Sequence, residues 1–260
     1  MNLTSLGYAT DLALLAHGGS LIEREDGYWR VTSPHNPTHY WGNFLLLDAP
    51  GSPAAAEELF RRALPNASHV ALGIDRIDLR LADLTAYAEA GFEVFEGTVL
   101  VATSIIEVPP PPGATIRQLI TEADWAQSVA LSMATRDEKY EATGFLTYLE
   151  AKMATQQRLS QDGRGAWFGA FVDEALVAHM GLFDCGEGRA RFQTVETHPD
   201  FRRRGMASAT LSAIARYATE TLGTTQLVIV ADPDYVAIDL YRSLGFVVRE
   251  SQVQMQRLPT

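Results

Sequence analysis

Apolar residues follow two different periods along this chain. Between 205 and 222 they recur at spacings of four, three and four, at Ala207, Leu211, Ile214 and Ala218. This spacing predicts an amphipathic helix, and Gly223 supplies a left-handed cap at its end. The polar and apolar alternation between 166 and 197 predicts an antiparallel meander, whereas the continuous run "LVIV" at 227–230 is typical of a strand covered on both faces. Together the two periods indicate an α/β fold with a mixed sheet.

The same patterns predict the remaining elements of the second half of the chain. Helices are expected near 121–134, 145–161 and 234–244. Strands are expected near 114–120, 166–172, 175–184, 189–197 and 226–231, followed by a hairpin that reaches 258.

A stiff spacer divides the chain. Four consecutive prolines, Pro109–Pro112, are followed by Gly113, and neither a helix nor a central strand absorbs such a stretch. The predicted domains are therefore 1–108 and 114–260, joined by the linker 109–113.

Both domains end in a pattern of strand, helix, Gly-Phe and hairpin. At one constant offset of 154 positions, three residues of the first pattern match three of the second: Tyr87, Gly91 and Phe92 with Tyr241, Gly245 and Phe246. We interpret the domains as diverged copies of one fold.

Charge and composition narrow the functional classes. The formal net charge of −11 disfavours a nucleic-acid protein, because phosphate contacts require an extended basic surface. The sequence has no basic leader and no run of about 18 apolar residues, so we expect a cytoplasmic location and no membrane partner. The single cysteine, Cys185, lacks the companions that a disulfide or a zinc site needs, and no metal is expected.

The stretch "FRRRGMASA" joins a strand to the helix predicted over 205–222. Glycine and small residues there let the backbone N–H groups of a helix N-terminus approach an anion, and the helix dipole adds its field. The spacing fits neither a P-loop nor Gly-x-Gly-x-x-Gly. We call this segment, Arg202–Ser208, the arginine turn. The residues expected to bind the anion are Arg202, Arg203, Arg204, Gly205, Met206, Ala207 and Ser208.

The Arg-x-x-Gly-x-Ala motif of the arginine turn resembles the pyrophosphate-binding signature of the GNAT superfamily of N-acetyltransferases. A second block, "DYVAIDLYRSLGF", is similar to a later motif of that family, with Asp234 where an asparagine usually stands. The resemblance covers 114–260 well and 1–108 weakly. It implies two GNAT-like domains, each a mixed, mostly antiparallel sheet flanked by helices, of which the second binds acetyl-CoA.

The resemblance also implies roles for single residues. Tyr241 takes the position of a tyrosine that protonates the leaving thiolate, although the inner face of its helix equally suits a core aromatic residue. Val195 and Thr197 lie on the strand that offers backbone groups to the pantetheine arm. Asp234 takes the position of a residue that contacts the same arm, and it is also a good N-cap.

An amine acceptor must lose a proton, so a base or a chain of waters is expected. Glu196 is the nearest carboxylate, but strand alternation sets it on the opposite face from Val195 and Thr197 unless a β-bulge intervenes. A surface carboxylate is the alternative interpretation. We interpret His198 as incidental in its loop and His179 as a satisfied core residue.

Acidic residues in "TRDEKYEATGF" offer a second hypothesis about the acceptor. Asp137, Glu138 and Glu141 lie where the family builds its acceptor pocket, and they would suit a cationic amine. A solvated loop explains the same charges.

The corresponding turn of the first domain differs in its charge. In "LLLDAPGSPAAAEELF", Asp48 and Pro50 occupy the approach to Gly51, and no arginine is present. A diphosphate would meet an acid there, and proline removes an amide donor. We therefore expect the first domain to bind no cofactor and Tyr87 to be structural.

These features predict an acyl-CoA-dependent N-acyltransferase with one active site, in the second domain. It would move an acetyl group from acetyl-CoA onto the primary amine of a small molecule or a peptide by direct attack. A non-catalytic acyl-CoA-binding sensor or interaction protein is the alternative, and a nucleic-acid binder is a third. We expect the first domain either to shape the acceptor pocket or to form a homodimer contact.

Overall fold

The computed structural model describes residues 2–233 and 237–259, which form two compact units. Within these residues the first unit comprises 2–100, 230–233, 237–238 and 248–259. The second comprises Val101–Ile229 and Asp239–Val247. Each unit thus takes segments from both sides of the proline linker. The domain boundary at 109–113 stays a prediction.

Helices and strands alternate along most of the chain. The helices are α1 Leu6–His17, α2 Pro53–Ala63, α3 Thr85–Glu89, α4 Glu122–Ala134, α5 Ala142–Gln161, α6 Met206–Leu222 and α7 Ala237–Ser243. The strands are β1 Leu21–Glu25, β2 Tyr28–Thr32, β3 Phe44–Leu47, β4 Val70–Ile74, β5 Glu93–Ala102, β6 Ala114–Gln118, β7 Gly165–Val172, β8 Ala175–Gly186, β9 Arg189–Thr197, β10 Gln226–Ala231 and β11 Val247–Arg257. In the part of the chain described, no helix is long and apolar enough to cross a membrane.

The first unit is a sheet with a helix on each face. Its strands lie in the order β1-β2-β3-β4-β11-β5, and β3 runs parallel to β4. Leu46 of β3 packs with Tyr8 and Leu12 of α1, whereas Leu45 packs with Phe60 of α2. Because successive residues of a strand point to opposite faces, both faces of β3 are covered, which explains its continuous apolar run.

The C-terminal strand β11 completes the sheet of the first unit. Met255 lies opposite Leu72 of β4, and the Tyr8 hydroxyl donates to the carbonyl oxygen of Val253 at 2.5 Å. The end of a half that the sequence assigns to the second domain therefore belongs to the core of the first unit.

The hairpins predicted at the ends of the two halves were wrong, since β5 and β11 are each a single strand. Gly97 lies within β5, where a Cβ would come within 2.8 Å of Val230 Cγ1. Glu250 lies within β11, and its carboxylate accepts hydrogen bonds from Ser5 Oγ and the Gly7 amide at the start of α1. Close packing and capping thus account for a glycine and a charged residue inside these two strands.

The second unit has the strand order β10-β9-β8-β7-β6, with β9 parallel to β10 and the other pairs antiparallel. Trp167 of β7 contacts Trp125 of α4, and the next residue, Phe168, contacts Tyr217 of α6. Helices therefore cover both faces. The predicted fold class, a mixed and mostly antiparallel sheet flanked by helices, is confirmed.

The helix predicted over 205–222 is α6. Leu211, Ile214 and Ala218 are buried and Ala207 is half-buried, as the spacing indicates. The helix ends at Gly223, whose φ of +66° is the left-handed cap that the sequence predicts.

Candidate active site

The arginine turn joins β9 to α6 through left-handed backbone. Arg203 has φ +58° and Gly205, the N-cap of α6, has φ +80°. Since Gly205 has no side chain, the first amides of α6 have no side-chain acceptor on their N-cap residue to which they could donate. The segment from Arg202 to Gly205 is exposed. The turn therefore offers amide donors and the positive end of a 17-residue helix to an anion.

The three arginines of this turn have different surroundings. Arg202 donates from Nε to the Thr197 carbonyl oxygen at 3.1 Å, which ties the turn back to β9. The guanidinium of Arg204 lies 5.3 Å from the ring centroid of Phe201. Arg203 is exposed and supplies charge without such a contact in the described residues. Backbone shape, more than the arginine side chains, defines this turn.

Strands β9 and β10 separate just before the turn. Their parallel pairing runs from Arg189 opposite Gln226 to Arg191 opposite Val228, whereas β9 remains paired with β8 as far as Thr197. Within the described residues, the rest of β9 thus has a strand partner on one side only. Val195 and Thr197 lie in this stretch, where backbone groups are left for another partner.

A β-bulge in β9 decides where Glu196 lies. Opposite β8, the register passes from Gln193 paired with Gly181 to Glu196 paired with His179, so two residues of β9 face one residue of β8. Thr194, in the bulge, has φ +42°. Glu196 consequently shares a side of the sheet with Gln193, three residues earlier. A β-bulge is therefore present, but it precedes Glu196: Glu196 and Thr197 pair with the consecutive residues His179 and Ala178 and still point to opposite sides of the sheet.

The Glu196 carboxylate is anchored through one oxygen. Its Oε2 lies 2.8 Å from His179 Nε2 and accepts a hydrogen bond from Ser132 Oγ at 2.5 Å. His179 is fully buried, and its Nδ1 lies 2.7 Å from Ser128 Oγ. The Glu196 side chain is 24% exposed, and among the described residues Oε1 has no hydrogen-bond partner. One oxygen is therefore available to a ligand.

Lys152 brings a positive charge to the same place. Its Nζ donates to Thr194 Oγ1 at 2.7 Å, which links α5 to the bulge. Burial alone would raise the pKa of Glu196, but the hydrogen bond and the electrostatic interaction with His179, the hydrogen bond from Ser132 and the charge of Lys152 outweigh burial, so this pKa lies below its ordinary value. The carboxylate is ionised at neutral pH.

Tyr241 lies on α7 and is 4% exposed. Its ring packs edge-on against Phe246, with 6.1 Å between centroids, and Phe246 packs in turn against Phe192 of β9. This position suits both a general acid and a core aromatic residue. Asp234, the other residue assigned from the second motif, lies outside the described residues.

A family model matches the part of the chain that contains these residues. Residues 129–246 match the model of the acetyltransferase (GNAT) family. We call these matched residues the GNAT domain. The match includes the arginine turn, Glu196 and Tyr241, so the resemblance predicted from short motifs is confirmed for this domain. No curated protein sequence matches the chain.

Solved structures share the fold over nearly the whole chain. A functionally unknown conserved protein from Staphylococcus epidermidis ATCC 12228 is 14% identical with a TM-score of 0.68, and the match covers 93% of this chain and 95% of the other. A GCN5-related N-acetyltransferase from Kribbella flavida is 16% identical with a TM-score of 0.65, covering 97% and 96%. A tandem GNAT protein from the clavulanic acid biosynthesis pathway is 15% identical with a TM-score of 0.56, covering 95% and 88%. At these identities the likeness concerns the fold.

The acidic segment of the GNAT domain serves its own local structure. Glu141 caps α5 by accepting from the amides of Thr143 and Gly144, each at 2.7 Å, and these bonds lower its pKa. Asp137 Oδ1 accepts from the Lys139 amide at 3.0 Å. These contacts favour the structural interpretation for both carboxylates.

Sequence reasoning missed three residues that surround Glu196. Ser128 and Ser132 lie four positions apart on α4, a spacing that puts both on one helix face and was a usable signal. Lys152 follows from no motif. His179 was recognised as a satisfied buried residue, but its contact with Glu196 depends on the bulge.

In the first unit, side chains form hydrogen bonds with backbone groups of the turn before α2. Ser52 Oγ accepts from the Ala55 amide at 3.4 Å, and the Tyr87 hydroxyl donates to the Gly51 carbonyl oxygen at 3.1 Å. Asp48 forms an ion pair with Arg24 at 2.6 Å. This capped and acidic turn contrasts with the arginine turn of the GNAT domain.

Proposed function

We propose that the GNAT domain is an acyl-CoA-dependent N-acyltransferase that moves an acetyl group from acetyl-CoA to a primary amine. The single observation that carries the proposal is the Glu196 carboxylate, which has Oε2 anchored by buried donors and a side chain 24% exposed, on the strand that leads into the arginine turn. The family match and the fold support acyl-CoA-dependent chemistry. The acetyl group and the amine belong to the proposal.

The residues of the arginine turn fit a diphosphate. Amides without a side-chain cap, left-handed backbone at Gly205 and exposed arginines form an anion site at the start of α6. Arg202–Ser208 would bind the diphosphate of acetyl-CoA, and the backbone of Val195 and Thr197 would contact its pantetheine arm. When bound, acetyl-CoA supplies the acyl group as a thioester.

The protein residues would manage two protons. The reference pKa of an alkylammonium is about 10.4, so the neutral amine is the attacking form, and its nitrogen becomes much more acidic as it bonds to the acyl carbon. Glu196 Oε1 would take that proton, directly or through water. In the transfer, a C–N bond forms as the C–S bond of the thioester breaks. The Tyr241 hydroxyl would give a proton to the departing thiolate.

A transfer assay tests this proposal. The full chain is incubated with acetyl-CoA and a panel of small-molecule and peptide amines, and both free thiol and acetylated amine are measured. Glu196→Gln should abolish transfer. Glu187→Gln is a matched control, because the same change is made on an exposed residue of the turn between β8 and β9. Thiol release and product that persist in Glu196→Gln would refute the assignment of the base.

A non-catalytic acyl-CoA sensor is the second candidate. Such a protein needs the arginine turn but has no use for an anchored carboxylate beside it, so the contacts of Glu196 favour the transferase. Calorimetric binding of acetyl-CoA without transfer to any amine would favour the sensor.

A further inference from the structure

A buried histidine lies directly behind the proposed base. His179 has no exposed surface, and its ring packs edge-on against Trp167 with 5.5 Å between centroids. Both ring nitrogens are within hydrogen-bond distance of polar side chains: Nδ1 of Ser128, and Nε2 of Glu196 and, at 3.3 Å, Ser132. A side chain fixed at both nitrogens has one orientation relative to the carboxylate.

The hydrogen bonds of Glu196 place a hydrogen on His179 Nε2. Ser132 donates its proton to Glu196 Oε2, and an ionised carboxylate only accepts. The 2.8 Å contact between His179 Nε2 and Oε2 is therefore satisfied when Nε2 carries the hydrogen. Nδ1 faces Ser128 Oγ, a hydroxyl that can either donate to it or accept from it.

The same hydrogen bonds exclude His179 from carrying the proton away. Nε2 already holds a hydrogen, and the far side of the ring leads to Ser128 Oγ, whose other hydrogen-bond contact among the described residues is Met153 Sδ at 3.8 Å. A thioether is only a weak acceptor and has no proton to pass on. The proton taken up at Glu196 therefore leaves through Oε1, the oxygen without a hydrogen-bond partner among the described residues.

We propose that His179 is a positioning residue, which uses its Nε2–H to hold Glu196 Oε2 and keeps the carboxylate ionised with Oε1 directed to the acceptor. The proposal rests on the proposed function for the role of Glu196, but the contact itself does not depend on it.

Three elements pack groups against this carboxylate. The titratable groups that face it are His179 from β8 and Lys152 from α5, while α4 contributes the hydroxyls of Ser132 and Ser128. Without the His179 donor, burial is opposed only by Ser132 and Lys152. A hydrogen bond to a charged group corresponds to a pKa change of about one to two units, so its loss should be measurable.

Two substitutions separate the donor from the bulk of the side chain. His179→Leu removes the donor and keeps an apolar residue of similar reach. His179→Gln is the conservative variant, because its side-chain N–H can replace the Nε2–H. Lys152→Met removes the neighbouring charge and keeps the hydrogen bonds from His179 and Ser132 to Glu196. Thr155→Ala is a folding control on α5, where the Thr155 hydroxyl donates to the carbonyl oxygen of Ala151 one turn earlier.

The measurement is the titration of Glu196 in the full chain without any substrate, by NMR of carbon-13-labelled glutamate assigned through Glu196→Gln. In His179→Leu the midpoint should rise by at least about one pH unit, and in His179→Gln by less than half of that shift. An unchanged midpoint in His179→Leu would overturn the proposal. If the variants fail to fold, nitrogen-15 NMR of the wild-type histidine ring decides: a protonated Nε2 supports the proposal and an unprotonated Nε2 overturns it.

Transfer kinetics give a second readout if an acceptor is found. The acid limb of the pH profile of kcat/KM should move upward with the Glu196 midpoint in His179→Leu and return in His179→Gln. A purely structural role would lower the rate at all pH values and leave the limb in place, which would overturn the proposal. A protein that acetylates no amine refutes the proposed function while the NMR titration still tests the contact.

Discussion

His179 and Glu196 lie directly opposite one another on β8 and β9, with Nε2 of the first 2.8 Å from Oε2 of the second. The bulge at Thr194 makes this pairing possible, and the same threonine binds Lys152. One local distortion of a strand thus assembles the proposed base, its hydrogen-bond donor and a positive neighbour. The same strand, β9, leads into the arginine turn, so the proposed base and the proposed diphosphate site both depend on it.

Gly205→Glu should abolish acyl-CoA binding, whereas Arg203→Ala should weaken it by less than about tenfold. A carboxylate at the helix N-terminus repels a diphosphate, and a side chain is strained at φ +80°. A single charge near a helix end contributes only about 0.3–1 kcal/mol. Calorimetry with acetyl-CoA measures both affinities.

Gly223→Glu is the matched control for this pair. It places the same residue at a left-handed position, φ +66°, at the opposite end of the same helix. It should bind acetyl-CoA normally once folding is verified. An Arg203 variant that loses more affinity than the Gly205 variant would contradict a site built from amides.

Tyr241→Phe should lower turnover by about 10²–10⁴-fold and leave acetyl-CoA affinity nearly intact, because the ring stays packed on Phe246 while the proton donor is lost. Steady-state rates and calorimetry distinguish the two effects. Tyr217→Phe is the control, since it removes a hydroxyl that donates to the Gly165 carbonyl oxygen in the same unit. Unchanged turnover would make Tyr241 a packing residue.

The first unit should add no acyl-CoA site. Its turn before α2 is capped by Ser52, and Asp48 there is paired with Arg24. Calorimetric titration should therefore give about one acetyl-CoA per chain, and none in Gly205→Glu. A second equivalent that survives in Gly205→Glu would show that the first unit binds the cosubstrate.

Asp124→Asn should destabilise the protein by about 2–3 kcal/mol at pH 7. Asp124 is buried, forms a two-bond ion pair with Arg117 and accepts from the amides of Ile120 and Thr121. The Arg117 hydrogen bond is the largest cause that holds its pKa well below the ordinary value. A lowered folded-state pKa gives stability that is present above the unfolded pKa, near 3.9, and is lost as the pH falls through the folded pKa.

Urea unfolding at a series of pH values checks this prediction. The difference between wild type and Asp124→Asn should be constant from pH 7 to about 5 and shrink below about 4. If the difference in the free energy of unfolding between the two proteins did not change with pH, packing rather than the ion pair would stabilise the region around Asp124.

Met255→Ala should destabilise the first unit by about 2–5 kcal/mol, because it opens a cavity opposite Leu72. Val247→Ala on the same strand is the control: Val247 is 61% exposed, and its change should cost less than about 0.5 kcal/mol. Chemical denaturation followed by tryptophan fluorescence measures both. Equal effects would contradict the placement of β11 in the core of the first unit.

Much of the candidate site could be predicted from residues close together in the chain. The arginine turn and α6 depend on helix periodicity, small residues and two left-handed glycines, all of which are short-range properties. The second motif likewise located Tyr241 on a helix. Glu196 was a candidate by its position on β9, but its direction was undetermined because one extra residue in a strand reverses the alternation.

The sequence by itself determined helix α6 with its cap at Gly223 and the family resemblance of the second domain, since these follow from patterns within about twenty residues. Only the tertiary structure decided that β11 pairs with β4 in the first unit and that the bulge sets Glu196 against His179. Strand pairing and register depend on contacts between residues far apart in the chain. The apolar pattern of one strand does not determine with which other strand it pairs.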